Sequence, residues 1–384
     1  MAASLNLPWN FKVVFSLVSP AYSLILRKNG TVNRRLLSVK KWFKKPANSK
    51  PVNGVKTYDV VVDQTRKLWF RVFVPVQRNA DQEDVPVLVY FHGGGYVLFS
   101  PDIYAFHDLC CRLAKELNVI VVSVNYRLAP EHRHPAQHDD GFDVLKFLDN
   151  QENRSKWLPD NANISHCFVA GDSAGGHLAH QVTKTACQFD FQNLKVVGVL
   201  AIHPFFGGEE RTKSEIELNR ISPMVKTKLT DWFWNAFMPL DERETRDHPL
   251  INVSGPNRVD ISKIDFPATM VVVAGFDILR DWQLRYYEWL KNSGKEAYLM
   301  DYPNMFHDFI IFPELLESEK LIVEMKDFIH KVLYKVQRRR KVVVVNLRER
   351  IKRVMERTVI DQEGNKKQAS SYSKTVMMTM VLVY

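Results

Sequence analysis

Cys167-Phe168-Val169-Ala170-Gly171-Asp172-Ser173-Ala174-Gly175 runs from an apolar segment straight into a turn of small residues with a serine at its centre. This is the pattern of a nucleophile elbow, where a buried strand ends, a helix begins and only small neighbours fit around the serine. Upstream, His92-Gly93-Gly94-Gly95 closes a second apolar run, Val85-Pro86-Val87-Leu88-Val89-Tyr90-Phe91. The bare backbone N–H groups of such a loop can approach a developing oxyanion. Each motif therefore sits where its chemistry needs it, after a buried-strand pattern, and together they point to Ser173 as a nucleophile.

An acid and a histidine should follow the serine in that order on this kind of sheet. The run Ala268-Thr269-Met270-Val271-Val272-Val273-Ala274 leads into Gly275-Phe276-Asp277. The next strand-like run, from Ala297 to Tyr302, feeds the loop Pro303-Asn304-Met305-Phe306-His307-Asp308. Both loops are expected at the carboxyl edge of a parallel sheet, where ligands collect. Neutral His307 would take the Ser173 proton and return it to a leaving alcohol, while Asp277 holds the imidazole tautomer. Asp281 competes as the acid, but reads better as a first-turn carboxylate favoured by a helix dipole. His203 precedes the acid and breaks the order. Asp308 reads as a solvated or capping group, and Cys167 as core, because free cysteine packs well in an apolar strand.

The segments His92–Tyr96, Asn125-Tyr126-Arg127-Leu128-Ala129-Pro130-Glu131-His132, Gly171–Gly176 and Gly275–Asp281 resemble the hormone-sensitive-lipase-like (GDXG) serine esterases, specifically the plant carboxylesterases. The resemblance runs from about Leu7 to about Leu333 and implies an α/β-hydrolase fold. Its opening stretch, with Asn29-Gly30-Thr31-Val32-Asn33-Arg34, looks like the branch that also holds the gibberellin receptors. Those receptors keep the fold without being esterases. They carry serine at the position of Gly95 and an aliphatic residue at that of His307, so this chain has the enzyme's residue at both. The resemblance implies Ser173, Asp277 and His307 as the triad. It implies an oxyanion hole built by Gly93, Gly94 and Gly95 with Ala174. It implies no metal and no cofactor. Arg127 and Glu131 read as a structural ion pair or loop brace. Asp308 stands where the family usually has a small residue, and a carboxylate there would favour the imidazolium form of His307.

The chain has 384 residues, 46% of them hydrophobic, enough for one large α/β domain with appendages. Its net charge of +10 is unevenly spread. Residues 1–58 hold eleven Lys or Arg and no acid, and residues 335–384 hold thirteen against four acids. The middle then carries 29 basic and 39 acidic residues, the wrong sign for a folded nucleic-acid-binding face. The expected partner is a small-molecule ester, with no nucleic acid and no stable membrane insertion. The partner protein, if there is one, is not legible. Four cysteines, at 110, 111, 167 and 187, show neither a disulfide framework nor metal spacing and fit a reducing compartment. A cytoplasmic location is expected, with the nucleus as a second compartment.

Alternating patterns predict strands over 58–62, 68–76, 87–91, 119–125, 167–170, 196–202, 270–274 and 297–302. Helices are expected over 103–117, 136–148, 175–187, 282–292 and 313–333. Such β–α alternation implies a mostly parallel sheet flanked by helices. Residues 1–57 read as short amphipathic helices forming a lid over the pocket mouth, or packing against the domain. Residues 58–334 form the catalytic domain. Within it, 205–248 break the alternation and read as an aromatic cap lining the pocket, or as a surface helix with a buried aromatic face. Residues 335–384 form a basic extension expected to be disordered, though Leu347, Ile351, Val354 and Met355 have the spacing of an amphipathic membrane-surface helix.

Overall fold

The computed structural model describes residues 9–38, 44–76, 84–239, 241 and 245–362. Eight strands form one sheet in the order β1-β2-β4-β3-β5-β6-β7-β8: β1 (Val55–Asp63), β2 (Leu68–Pro75), β3 (Val85–Phe91), β4 (Ile120–Asn125), β5 (Ala162–Asp172), β6 (Val196–Ile202), β7 (Ala268–Ala274) and β8 (Ala297–Tyr302). β1 and β2 pair antiparallel, and so do β2 and β4; every pair from β4 to β8 is parallel. β3 is buried along its whole length, the signature of a strand covered on both faces. β1 instead alternates between buried and exposed positions, as a strand at the sheet's edge can.

Ten α-helices are described: α1 (Trp9–Ile25), α2 (Arg34–Ser38), α3 (Tyr104–Leu117), α4 (Ala136–Asp149), α5 (Gln151–Arg154), α6 (Ala174–Ala186), α7 (Lys213–Glu217), α8 (Thr227–Phe237), α9 (Arg280–Asn292) and α10 (Leu316–Gln362). α3 packs on β2 and β4, α6 on β3, β5 and β6, and α9 on β7 and β8. The fold is the α/β-hydrolase fold that the motifs implied.

Three elements differ from expectation. The N-terminal segment forms one 17-residue helix, α1, with Pro20 inside it, followed by the short α2, rather than short helices alone. β5 begins five residues early, at Ala162, because the start of β3 offers it a partner at Val85 and Pro86. The last helix does not stop near residue 333 but continues to Gln362. No glycine or proline interrupts 316–362, so nothing in the backbone chemistry ends the helix there. By contacts the chain divides into a unit of residues 1–329, which carries the sheet, and a unit of residues 330–384. The valine- and methionine-rich run 376–384 lies outside the described residues. Among the described residues, no helix is long and apolar enough to cross a membrane.

Candidate active site

β5 ends at Asp172 and α6 begins at Ala174, which leaves Ser173 alone on the turn, at φ 52° and ψ −118°. A non-glycine residue in such a region costs about 1–3 kcal/mol and persists only where its neighbours hold it. Here they do. The Ser173 N–H donates to the Ile202 carbonyl at 2.8 Å, and the Ser173 carbonyl accepts from the Phe205 N–H at 2.9 Å. Gly175 lies where β3 and α6 approach most closely, and a Cβ there would collide with the Phe91 carbonyl oxygen.

The loops after β7 and β8 are laced together: the Gly275 N–H donates to the Tyr302 carbonyl at 2.9 Å, and the Phe276 N–H to that of Met305 at 2.8 Å. This brings Asp277 and His307 side by side. His307 Nε2 lies 2.9 Å from Ser173 Oγ, and His307 Nδ1 lies 2.6 Å from Asp277 Oδ2. Asp277 accepts two further hydrogen bonds, from the Leu279 N–H at 2.9 Å and from Gln283 Nε2 at 2.8 Å. The three side chains are covered, Asp277 being 0%, His307 2% and Ser173 8% exposed, so water does little to screen them.

Burial opposes a charge on His307, but Asp277 and then Asp308 outweigh it and raise its pKa to about 9. Burial likewise opposes a charge on Asp277, and His307 outweighs it, holding the carboxyl below its usual range. The carboxylates therefore favour a proton on His307, while burial favours the neutral ring, the form that can accept the Ser173 proton. A proton leaving Ser173 Oγ would arrive on an imidazole whose cation Asp277 stabilises.

The glycine loop corrects one expectation. The Gly93 N–H donates to Asp172 Oδ1 at 3.0 Å, and the Tyr90 hydroxyl donates to the same oxygen. That N–H is occupied and is not a free oxyanion donor. No hydrogen bond is seen among the described residues from the N–H groups of Gly94, Gly95 or Ala174. Ala174 opens α6, where the first N–H groups have no acceptor within the helix. Gly95 is at φ +63°, and the Phe233 ring of α8 fills the space a Cβ would take.

The competing residues also find their places. Asp281 lies in the first turn of α9 and accepts from the Ser214 N–H at 2.8 Å, away from His307. Cys167 is fully buried, and burial pushes its thiol up to about 12. Asp308 is not solvated, and it stands at the N-cap position of the turn Phe309–Ile311 without capping it through its side chain. It is 9% exposed and sits at φ 57°, a left-handed turn that directs it inward. Its Oδ2 lies 3.4 Å from His307 Nε2, and its Oδ1 3.7 Å from His203 Nδ1. Arg127 and Glu131 do not pair with each other. Arg127 binds Asp140 at 2.9 Å, and Glu131 binds Arg34 at 2.6 Å. Arg34 also donates to the carbonyls of Val97 and Ala129, so both charges brace loops, Glu131 with a partner far away in sequence. Gln283 and Tyr90, which support Asp277 and Asp172, carried no signal in the sequence.

Aromatic side chains surround the site. Phe15 of α1 meets Phe306 edge-on at 5.0 Å between ring centres, and Phe11 meets Phe312 at 5.3 Å. Tyr22 approaches Phe233, and Trp232 Nε1 donates to the Arg27 carbonyl at 3.0 Å. Trp234 of α8 stacks on Phe205 at 4.1 Å. Among the described residues, no group of three or more His, Cys, Asp or Glu could hold a metal ion.

Residues 88–311 match the alpha/beta hydrolase fold family. A gibberellin receptor of Arabidopsis thaliana is 38% identical over 335 residues, covering 84% of this chain and 94% of the receptor. Carboxylesterase 20 of the same plant is 36% identical over 258 residues, 64% of this chain and 77% of that protein. Among solved structures, a hyperthermophilic esterase from the archaeon Pyrobaculum calidifontis superposes with a TM-score of 0.64 at 26% identity, covering 86% of this chain and 99% of the esterase.

Proposed function

The chain belongs to the alpha/beta hydrolase fold family, on the branch shared by plant carboxylesterases and gibberellin receptors, and from that premise we propose that it is a serine carboxylesterase. The observation that carries this reading is the continuous relay Ser173 Oγ–His307 Nε2 and His307 Nδ1–Asp277 Oδ2, at 2.9 and 2.6 Å.

In this reading Ser173 Oγ attacks the ester carbonyl carbon as its proton passes to His307 Nε2. The carbonyl oxygen becomes an oxyanion facing the N–H groups of Gly94, Gly95 and Ala174. The tetrahedral intermediate then collapses: the C–O bond to the alcohol breaks, and the leaving oxygen takes the proton from Nε2. Water gives a proton to the freed Nε2 and attacks the acyl carbon, and collapse returns that proton to Ser173 and releases the carboxylic acid. Throughout, Asp277 keeps Nδ1 protonated and balances the imidazolium. No cofactor enters these steps. Short- to medium-chain esters are the proposed substrates. Residues 1–57, through α1, act as the lid, 205–248 as the cap, and 335–384 as an extension outside the catalytic domain. Four unpaired cysteines support a reducing compartment such as the cytoplasm.

The test is hydrolysis of 4-nitrophenyl acetate and butyrate by wild type and Ser173→Ala. Loss of the serine in a comparable triad costs ~10⁶ in turnover. Equal activity in the two proteins would end the esterase reading.

The extent of identity to a gibberellin receptor supports a second reading, a binding protein that closes on a diterpenoid acid without turning it over. Micromolar or tighter binding of such an acid, with no ester hydrolysis, would favour it.

A further inference from the structure

Three carboxylates surround His307, and they are not equivalent. Asp277 is matched by the Nδ1 side of the ring and by two other donors. Asp172 is held by the Tyr90 hydroxyl and the Gly93 N–H, and burial followed by Asp308 pushes its carboxyl above the usual range. Asp308 is the unmatched one. Its Oδ1 has no hydrogen-bond partner, and among the described residues its ion-pair contacts are with two imidazoles only, those of His203 and His307. No Lys or Arg among the described residues pairs with it.

Its position gives that charge a direction. Nε2 of His307 is the nitrogen that must pass a proton from Ser173 Oγ to the leaving oxygen. Both Ser173 Oγ, at 2.9 Å, and Asp308 Oδ2, at 3.4 Å, lie beside this one atom. The alcohol half of a bound ester must also come to Nε2, so it binds next to Asp308. Around Asp308, His203 at the end of β6 lies against its Oδ1, Asp172 at the end of β5 and Tyr22 of α1 feel its charge, and Asp277 lies on the far, Nδ1 side of the ring. Tyr22 reports the proximity, since desolvation and then Asp308 push its phenol up to about 12. Among the described residues, no Lys or Arg pairs with Asp308 to offset a second negative charge there.

We propose that Asp308 is a specificity-determining residue that sets a negative wall on the leaving-group side of the site. It selects esters of neutral or cationic alcohols and rejects those whose alcohol carries a carboxylate. This inference rests on the esterase reading for its substrates, but its charge preference holds for any ligand bound there. Like charges a few ångströms apart in a partly desolvated site disfavour binding by at least about tenfold.

Three acetate esters of similar chain length test it: one of a neutral dimethylbutanol, one of choline and one of hydroxypropanoate. For the wild type, kcat/KM for the anionic ester should fall at least about tenfold below the neutral one, with the cationic ester equal or better. Asp308→Asn should shrink the anionic penalty severalfold, and Asp308→Glu should restore it. A wild type that prefers the anionic ester, or a penalty unchanged in Asp308→Asn, overturns the proposal; the first outcome needs no variant to fold. Calorimetric binding of the same three esters to Ser173→Ala separates this inference from the reading beneath it. If wild-type turnover is absent, the esterase reading fails, while the order of the three Kd values still decides the role of Asp308. An order with the anionic ester weakest sustains it, and equal affinities sink it.

Discussion

His307 is where activity and stability pull apart. Burial opposes its charge, but Asp277 and Asp308 prevail and lift its pKa from the ordinary 6.5 to about 9. In the esterase reading the neutral ring is the base, so kcat/KM should rise as pH climbs towards about 9. Stability should run the other way. The folded protein holds a proton on His307 that the unfolded chain has already released between 6.5 and about 9. This contribution is therefore complete below the unfolded value and is lost as pH rises through the folded one. The check is the difference in Tm between wild type and His307→Gln across the same pH series used for kcat/KM. A difference that grows with pH would contradict the ion-pair account. That Ser173, Asp277 and His307 would come together could be read from the sequence, because motif and chain order constrain them jointly. The occupied Gly93 N–H and the inward Asp308 could not be. The first depends on an aspartate far along the chain, and the second on a left-handed backbone angle that an Asp–Phe dipeptide does not announce.

Among the elements, the central strands were plain in the sequence because burial on both faces leaves an unbroken apolar run, as in β3. The ends were less so. β5 starts on Ala162-Asn163-Ile164-Ser165-His166, whose polar residues look like a loop until β3 offers them a pairing edge. The partners of Arg127 and Glu131 were missed because sequence proximity suggested a pair, whereas Asp140 and Arg34 came closer in space. α1 is the element whose role reaches furthest, since Phe15 rests on Phe306, the residue before His307. Phe15→Ala should disturb the base loop as well as the helix. An aromatic pair is worth about 0.5–1.5 kcal/mol, so kcat/KM should fall about two- to twelvefold. KM and kcat should move together if α1 organises the pocket. A fall in Tm with unchanged kinetics would reduce α1 to packing.

On the scale of the whole chain, charge distribution was a better guide than total charge. A net charge of +10 invites a polyanion, yet the excess of positive charge lies at the two ends and the sheet-bearing middle is net acidic. The extent of α10 was not legible, because a helix rich in Arg, Lys and Val with no stop signal resembles an unstructured basic tail in composition. The sheet, by contrast, brings residues 92, 173, 277 and 307 to one edge, where Ser173 is only 8% exposed. In the esterase reading that cover is a shutter over the nucleophile. A bulky phosphonate should label Ser173 faster as its concentration rises, then reach a plateau set by how often the cover parts. On that plateau the probe no longer measures chemistry but keeps time for the opening, a motion expected on the microsecond-to-millisecond scale. Labelling that stays linear in reagent up to its solubility limit would mean that the aperture is already open.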